Sequence, residues 1–175
     1  MPKRWRNAEW ARELTCDDGE TNLWKRADVP HSGWVCEGVI DLGGPFGICR
    51  MCGYQIIRYV HIMRHPNYPR TIGAGCECAG KMEGDPEASR RRESAYKNRL
   101  SRRETFLKAK MKRSRAGNEY FKYKGEIVTV MPDKFRPDHY KTAYKGGFGL
   151  PFPTKEEALS ALFDEIDPWE YREKN

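Results

Sequence analysis

Long apolar runs are missing from this sequence. No stretch approaches the roughly 20 apolar residues that a helix needs to cross a bilayer. The opening MPKRWRNAEWARELT is basic at first but lacks the apolar centre of a secretory leader. A cytoplasmic protein with no membrane partner is therefore expected. Apolar residues are also scarce, 38% of the chain against 33% charged, and mean hydropathy is −0.86. That balance disfavours a compact enzyme with a deep interior and favours one modest core with long exposed helices. A phosphate-binding loop is absent as well. The glycine cluster LGGPFG is a turn without the lysine and the strand-loop-helix context that such a loop requires.

What the chain does have is concentrated. The stretch ICRMCGYQIIRYVHIMRHPNYPRTIGAGCECAGKMEGD, residues 48–85, holds four of the six cysteines and two of the four histidines. In a reducing compartment such a set points to metal ligation or burial, not to disulfides. Cys49 and Cys52 form a C-x-x-C followed by glycine, which lets the backbone curl so that both thiolates face one ion. A redox dithiol would belong beside a βαβ pattern, whereas a hairpin is expected here: YQIIRYVHIMRH is rich in β-formers, PNYP breaks the chain and RTIGAG returns it.

The second pair, Cys76 and Cys78, is a C-x-C. On extended backbone the two side chains share a side, while within a helix they diverge by about 200°. Cys76 is thus the safer ligand, and the preferred site is Zn2+ held by Cys49, Cys52, Cys76 and Cys78. Should Cys78 already lie in a helix, His61 or His65 supplies the fourth ligand. Knuckle, hairpin and cysteine-bearing helix start together resemble the treble-clef arrangement of zinc fingers over residues 47–84. That resemblance implies a zinc-stabilised module and leaves function open, since treble clefs serve nucleic-acid binding, protein binding and nuclease scaffolds. A histidine on such a strand is more often packed than catalytic; a ββα-metal nuclease would also need a helix-borne histidine, and the following helix has none. Cys16 and Cys36 read as small core residues, with a second ion shared with His31 as the alternative.

Residues 89–115 carry twelve Lys and Arg against Glu93 and Glu104, a net +10 in a chain whose total is +7. Tyr96, Leu100, Arg103, Leu107 and Met111 fall at helical spacing, so a basic helix with a thin apolar seam is expected to run to near Gly117. Charge so little opposed along the helix attracts a polyanion, and Arg91, Arg92, Arg99, Arg102, Arg103, Lys110 and Arg113 are its expected phosphate contacts. Three strands follow, EYFKYK, EIVTVM and HYKTAYK. Then comes a helix, TKEEALSALFDEI, opened by a Thr154–Glu157 capping box, with Leu159, Leu162, Phe163 and Ile166 on one face. Counted with the basic helix, the element order is similar to that of double-stranded-RNA-binding domains, although the last helix starts acidic where that family starts basic. Lys122 and Lys141 can add phosphate contacts from the sheet, and a tyrosine can stack on a base.

The expected protein is α+β: residues 1–86 form an N-terminal region with Trp5, Trp10, Trp24, Trp34 and a zinc module, 87–116 a basic helix, and 117–175 a β-β-β-α module with an acidic tail. Its expected function is non-enzymatic binding of DNA or RNA. The alternatives are a zinc-containing nuclease and an adaptor whose basic helix docks on an acidic protein partner.

Overall fold

The computed structural model describes residues 8–15 and 22–169, so Trp5 and Cys16 lie outside the described residues. The chain divides into two compact units, Met1–Tyr96 and Lys97–Asn175. Helices and strands are mixed in both, an α+β arrangement.

The first unit begins with α1 (Ala8–Glu13) and a single helical turn at Leu23–Lys25, followed by β1 (Val35–Asp41). A small hairpin, β2 (Gly47–Ile48) with β3 (Ile56–Ile57), precedes β4 (Tyr59–His65) and β5 (Tyr68–Ala74). Strand β4 runs antiparallel between β1 and β5. Val60, His61, Ile62 and Met63 are buried in succession, so both faces of this central strand are covered and its apolar run is nearly continuous. PNYP does not break the chain as far as expected: the turn takes only residues 66–67, and Pro69 is accommodated in β5, an edge strand. Trp34 is buried against this core and donates its ring N–H to the Pro30 carbonyl at 2.7 Å, while Trp10 and Trp24 pack from the side.

Two helices follow, α2 (Cys76–Glu83) and α3 (Pro86–Leu107), whose residues through Tyr96 belong to the first unit. Their separation is written in the sequence GDP. Gly84 takes φ +79° and closes α2 in the left-handed conformation. Asp85 then accepts from the N–H groups of Glu87 and Ala88, and Pro86 occupies a first helical position where its missing N–H costs nothing.

In the second unit β6 (Lys112–Arg113), β7 (Glu119–Tyr123), β8 (Glu126–Pro132), β9 (Tyr140–Tyr144) and β10 (Gly147–Phe148) form one antiparallel sheet in the order β10-β9-β8-β7-β6, followed by α4 (Lys155–Ile166). Strands β7 to β9 and α4 are the expected β-β-β-α unit, and the Thr154–Glu157 capping box is present. Lys124–Gly125 and Lys145–Gly146 have positive φ at both residues, the geometry that suits a two-residue hairpin to the twist of its strands.

The basic helix is shorter than expected. It ends at Leu107, and Lys112 and Arg113 pair with the edge of β7. The cause is the turn at Ser114: its N–H donates to the Asn118 carbonyl, its hydroxyl accepts from the Asn118 N–H, and Gly117 takes φ +82°. Ladder pairing to a packed strand outweighs the helix propensity of KAKMKRSR. The core beneath contains Phe106, Phe121, Val128, Leu159, Leu162 and Phe163.

Phe106 lies at its centre, with ring centroids 5.1 Å from Phe121, 4.8 Å from Tyr123 and 5.3 Å from Phe163. Phe106→Ala is expected to lower the unfolding free energy of this unit by about 3–5 kcal/mol in a denaturant titration. The exposed Lys108→Ala should stay within about 0.5 kcal/mol of the parent.

Candidate metal centre

The turn between β2 and β3 curls around Cys49 and Cys52. Cys49 N–H donates to the Gln55 carbonyl and Gly53 N–H to the Cys49 carbonyl, both at 2.8 Å, with Gly53 at φ +75°. Two further bonds anchor the curl: Arg50 N–H to the Gly73 carbonyl at 3.0 Å and Trp24 N–H to the Met51 carbonyl at 3.1 Å. Helix α2 starts directly above. A side chain at Gly75 would come within 2.9 Å of Gln55 Oε1 and of an Ile57 methyl, so glycine is what allows the helix start to approach β3.

That approach brings Cys78 to the knuckle. The sulfurs of Cys49, Cys52 and Cys78 lie within 4.8 Å of one another, and all three residues are buried. Thiolates about 2.3 Å from a tetrahedral ion would be about 3.8 Å apart, so the group has the right dimensions to hold one. The thiol of Cys78 donates to Cys49, and backbone N–H groups of Gly75, Cys52 and Met51 also point at that sulfur; together they lower the Cys49 thiol despite its burial. Cys78, as the donor of the pair, is pushed up. These N–H groups favour the thiolate form at Cys49, and an incoming cation would displace the thiol protons.

Cys76 does not join this group, which reverses its standing as the safer ligand. It is the first residue of α2, so its side chain and that of Cys78 point about 200° apart. Its sulfur lies 3.6 Å from Ser89 Oγ and forms a separate group with His61 and Glu93, in which the three ligand atoms lie within 4.8 Å of one another. His61 is consequently not the fourth ligand of the knuckle. Nor is His65, which packs on Trp34 at 5.4 Å between ring centroids and accepts from the Asn67 N–H. Cys36 and His31 do not meet either: Cys36 donates to the Gly38 carbonyl, with burial pushing its thiol up to about 11, and His31 stands edge-on to Trp24.

The basic residues divide into two sets. Arg92 is buried and clamped by both oxygens of Glu83 at 3.0 and 2.7 Å. Arg99, also buried, donates to the Asp167 carbonyl and to the Asp164 carboxylate and lies over the Phe163 ring. Arg102 makes two bonds to Asp167, holding that carboxyl below its ordinary range, and Arg103 donates to Ser160. Burial and these partners correct the expectation that Arg92 and Arg99 are available to phosphate. The helix charge is opposed after all, by carboxylates from other elements. Arg91 is exposed beside Asp85 at 3.7 Å, and Lys141 pairs with Asp133 at 3.3 Å.

Lys110, Lys112, Arg113 and Lys122 form the other set: they are exposed and have no carboxylate partner among the described residues. Three of them, Lys110, Lys112 and Lys122, line one cleft of about 490 Å³ together with Tyr120 and Ile127. Lys112 and Tyr120 become neighbours through the β6–β7 pairing, which the reading of residues 108–115 as helix had hidden.

Comparison with family models, with curated proteins and with solved structures gives no match, so the chemistry of these groups rests on their own geometry.

In cobalt-substituted protein, Cys49→Ser, Cys52→Ser or Cys78→Ser should each abolish the three-thiolate charge-transfer spectrum of this centre. Cys76→Ser should leave it in place. Because the thiols must give up protons to bind the ion, its affinity should fall as pH is lowered, which a chelator competition at stepped pH would measure.

Proposed function

We propose that this chain is a zinc-stabilised, non-enzymatic nucleic-acid-binding protein. The observation that carries the reading is the cleft of the second unit, where Lys110, Lys112 and Lys122 stand around Tyr120 without neutralising carboxylates among the described residues. Three lysines spaced around an aromatic ring suit phosphates of a strand whose base stacks on the ring, and Arg113 on β6 extends the positive edge.

Zinc acts in the first unit as a staple. Knuckle, hairpin and helix follow one another in the treble-clef order, and a thiolate-rich centre with buried ligands is the structural kind of zinc site. Cys49, Cys52 and Cys78 are its ligands. The arginine clamps of α3 hold packing together, so phosphate contact is assigned to the residues left open: Lys110, Lys112, Lys122 and Arg113, with Arg91 as a weaker contributor.

The test is a binding titration with single- and double-stranded DNA and RNA over a range of salt concentrations. Log affinity should fall linearly with log salt, and Lys110→Gln, Lys112→Gln and Lys122→Gln should each reduce the magnitude of the slope by about 0.9 on duplex DNA or about 0.7 on a single strand. Tyr120→Ala should weaken single-strand binding by about 1–3 kcal/mol with the slope unchanged. Salt-independent binding, or none at low salt, would favour an adaptor docking on an acidic protein. Cleavage of the probes with magnesium present would favour a nuclease.

A further inference from the structure

We propose that His61, Cys76 and Glu93 form a second metal site, separate from the cysteine knuckle, for a thiophilic divalent cation of the zinc class. Three elements meet there: His61 comes from the central strand β4, Cys76 from the first position of α2, and Glu93 from α3. One ligand atom from each lies within 4.8 Å of the other two, and His61 is fully buried.

The spacing suits coordination. His61 Nε2 and Glu93 Oε2 are 3.2 Å apart. Two donors about 2.1 Å from an ion at the tetrahedral angle would stand about 3.4 Å apart, so this pair can accept an ion with little movement. Sulfur, nitrogen and carboxylate oxygen are the three donor types that zinc accepts, whereas calcium and magnesium require oxygen alone. The charges also suit it: a thiolate and a carboxylate together balance a divalent ion and give a neutral assembly.

The surroundings fix the ligands as a metal site requires. With Nε2 on the ion, the other ring nitrogen of His61 must carry its proton, and Cys36 Sγ lies 4.0 Å from that nitrogen. Cys36, whose own S–H is directed at the Gly38 carbonyl, keeps sulfur lone pairs to receive it. This gives Cys36 a positioning role that its isolation in sequence concealed. Arg92 Nη1 also stands 3.5 Å from the same nitrogen, but it makes a shorter bond, 3.0 Å, to Glu83, and the Glu83 clamp keeps that guanidinium in place when the imidazole contact is given up. Ser89 Oγ, 3.6 Å from Cys76 Sγ, can turn its hydrogen from the Pro86 carbonyl to the thiolate. Three protein ligands leave one tetrahedral position for water.

This inference does not depend on nucleic-acid binding, and its test is metal stoichiometry. Full-length protein from zinc-supplemented culture, with quantified protein and elemental analysis, should contain two zinc ions per chain. Cys76→Ser and Glu93→Gln are close in shape to the parent residues, which makes them better probes than changes at fully buried His61. Each should lower the content to one ion, leave the far-ultraviolet circular dichroism of the parent, and, after cobalt replacement, retain the three-thiolate spectrum of the knuckle. Cys36→Ser should keep both ions but weaken the second by roughly 10-fold or more in chelator competition. One ion in the parent, unchanged in Cys76→Ser and in Glu93→Gln, would overturn the site, and so would a parent that holds none. One ion removed by either substitution and untouched by Cys49→Ser would support it while overturning the knuckle assignment.

Discussion

The contact between Cys49 and Cys78 fastens the start of α2 to the β2–β3 hairpin, and the architecture of the first unit depends on it. Gly75 lets the helix approach, Gly53 lets the knuckle curl, and the backbone N–H groups of Met51, Cys52 and Gly75 converge on the Cys49 sulfur. A buried thiolate is costly unless its charge is met, and a proton or a cation shared among these sulfurs would meet it. Once α2 is placed, the direction of Cys76 is settled too. Facing away from the knuckle, it meets His61 on β4 and Glu93 on α3. Two distinct chemical environments thus arise from two cysteines two residues apart.

Charge in α3 follows a comparable logic. The helix has few acidic residues of its own, yet Arg92, Arg99 and Arg102 each end in a carboxylate clamp. For Arg92 the clamp is Glu83, the last residue of α2, within the first unit. For Arg99 and Arg102 it is Asp164 and Asp167 at the end of α4, within the second. The bonds are bidentate for Arg92 and Arg102, while Arg99 divides its donors between the Asp164 carboxylate and the Asp167 carbonyl, and such directional charge-assisted bonds fix helices. The lysines of β6 and β7 lack that engagement. A compact, hydrated ammonium on a flexible stem keeps its solvation when left exposed, so the arginines that pack are divided from the lysines that stay open.

How much of this was legible in the sequence depended on whether a residue announces the boundary of its element. Thr154 and Glu157 mark the start of α4 with a reciprocal pair of bonds, so the phase of that helix and its buried face could be read directly. Strands β7, β8 and β9 alternate with period two between clear turns and were equally readable. The start of α2 is silent: its cap is Gly75, with no side-chain bond to the helix, so nothing in GAGCECAG says whether Cys76 and Cys78 lie on strand or helix. The choice of ligand set hung on that one phase: the extended reading put Cys76 and Cys78 in one group, and the helical phase sets them in two. The end of α3 is silent in the same way. KAKMKR favours helix throughout, and it is the turn from Ser114 together with pairing to β7 that draws residues 112–113 into the sheet. Local preference settles an element when a cap or a turn fixes its phase; where both are missing, the tertiary partner decides.

The two candidate metal groups also differ in what they leave open. In the knuckle all three sulfurs are buried and the backbone closes around them, so an ion there would add stability by binding only the folded arrangement. In the second group only His61 is fully enclosed, while Cys76 and Glu93 are partly exposed. A cation held by those three would keep contact with solvent on one side. Its affinity would depend on how firmly Cys36 and Ser89 orient the donors more than on burial, because a ligand that must be reoriented loses binding energy at each turn of a bond. One group is buried throughout and the other is partly open to solvent, and the difference traces to a helix that starts at Cys76 instead of after Cys78.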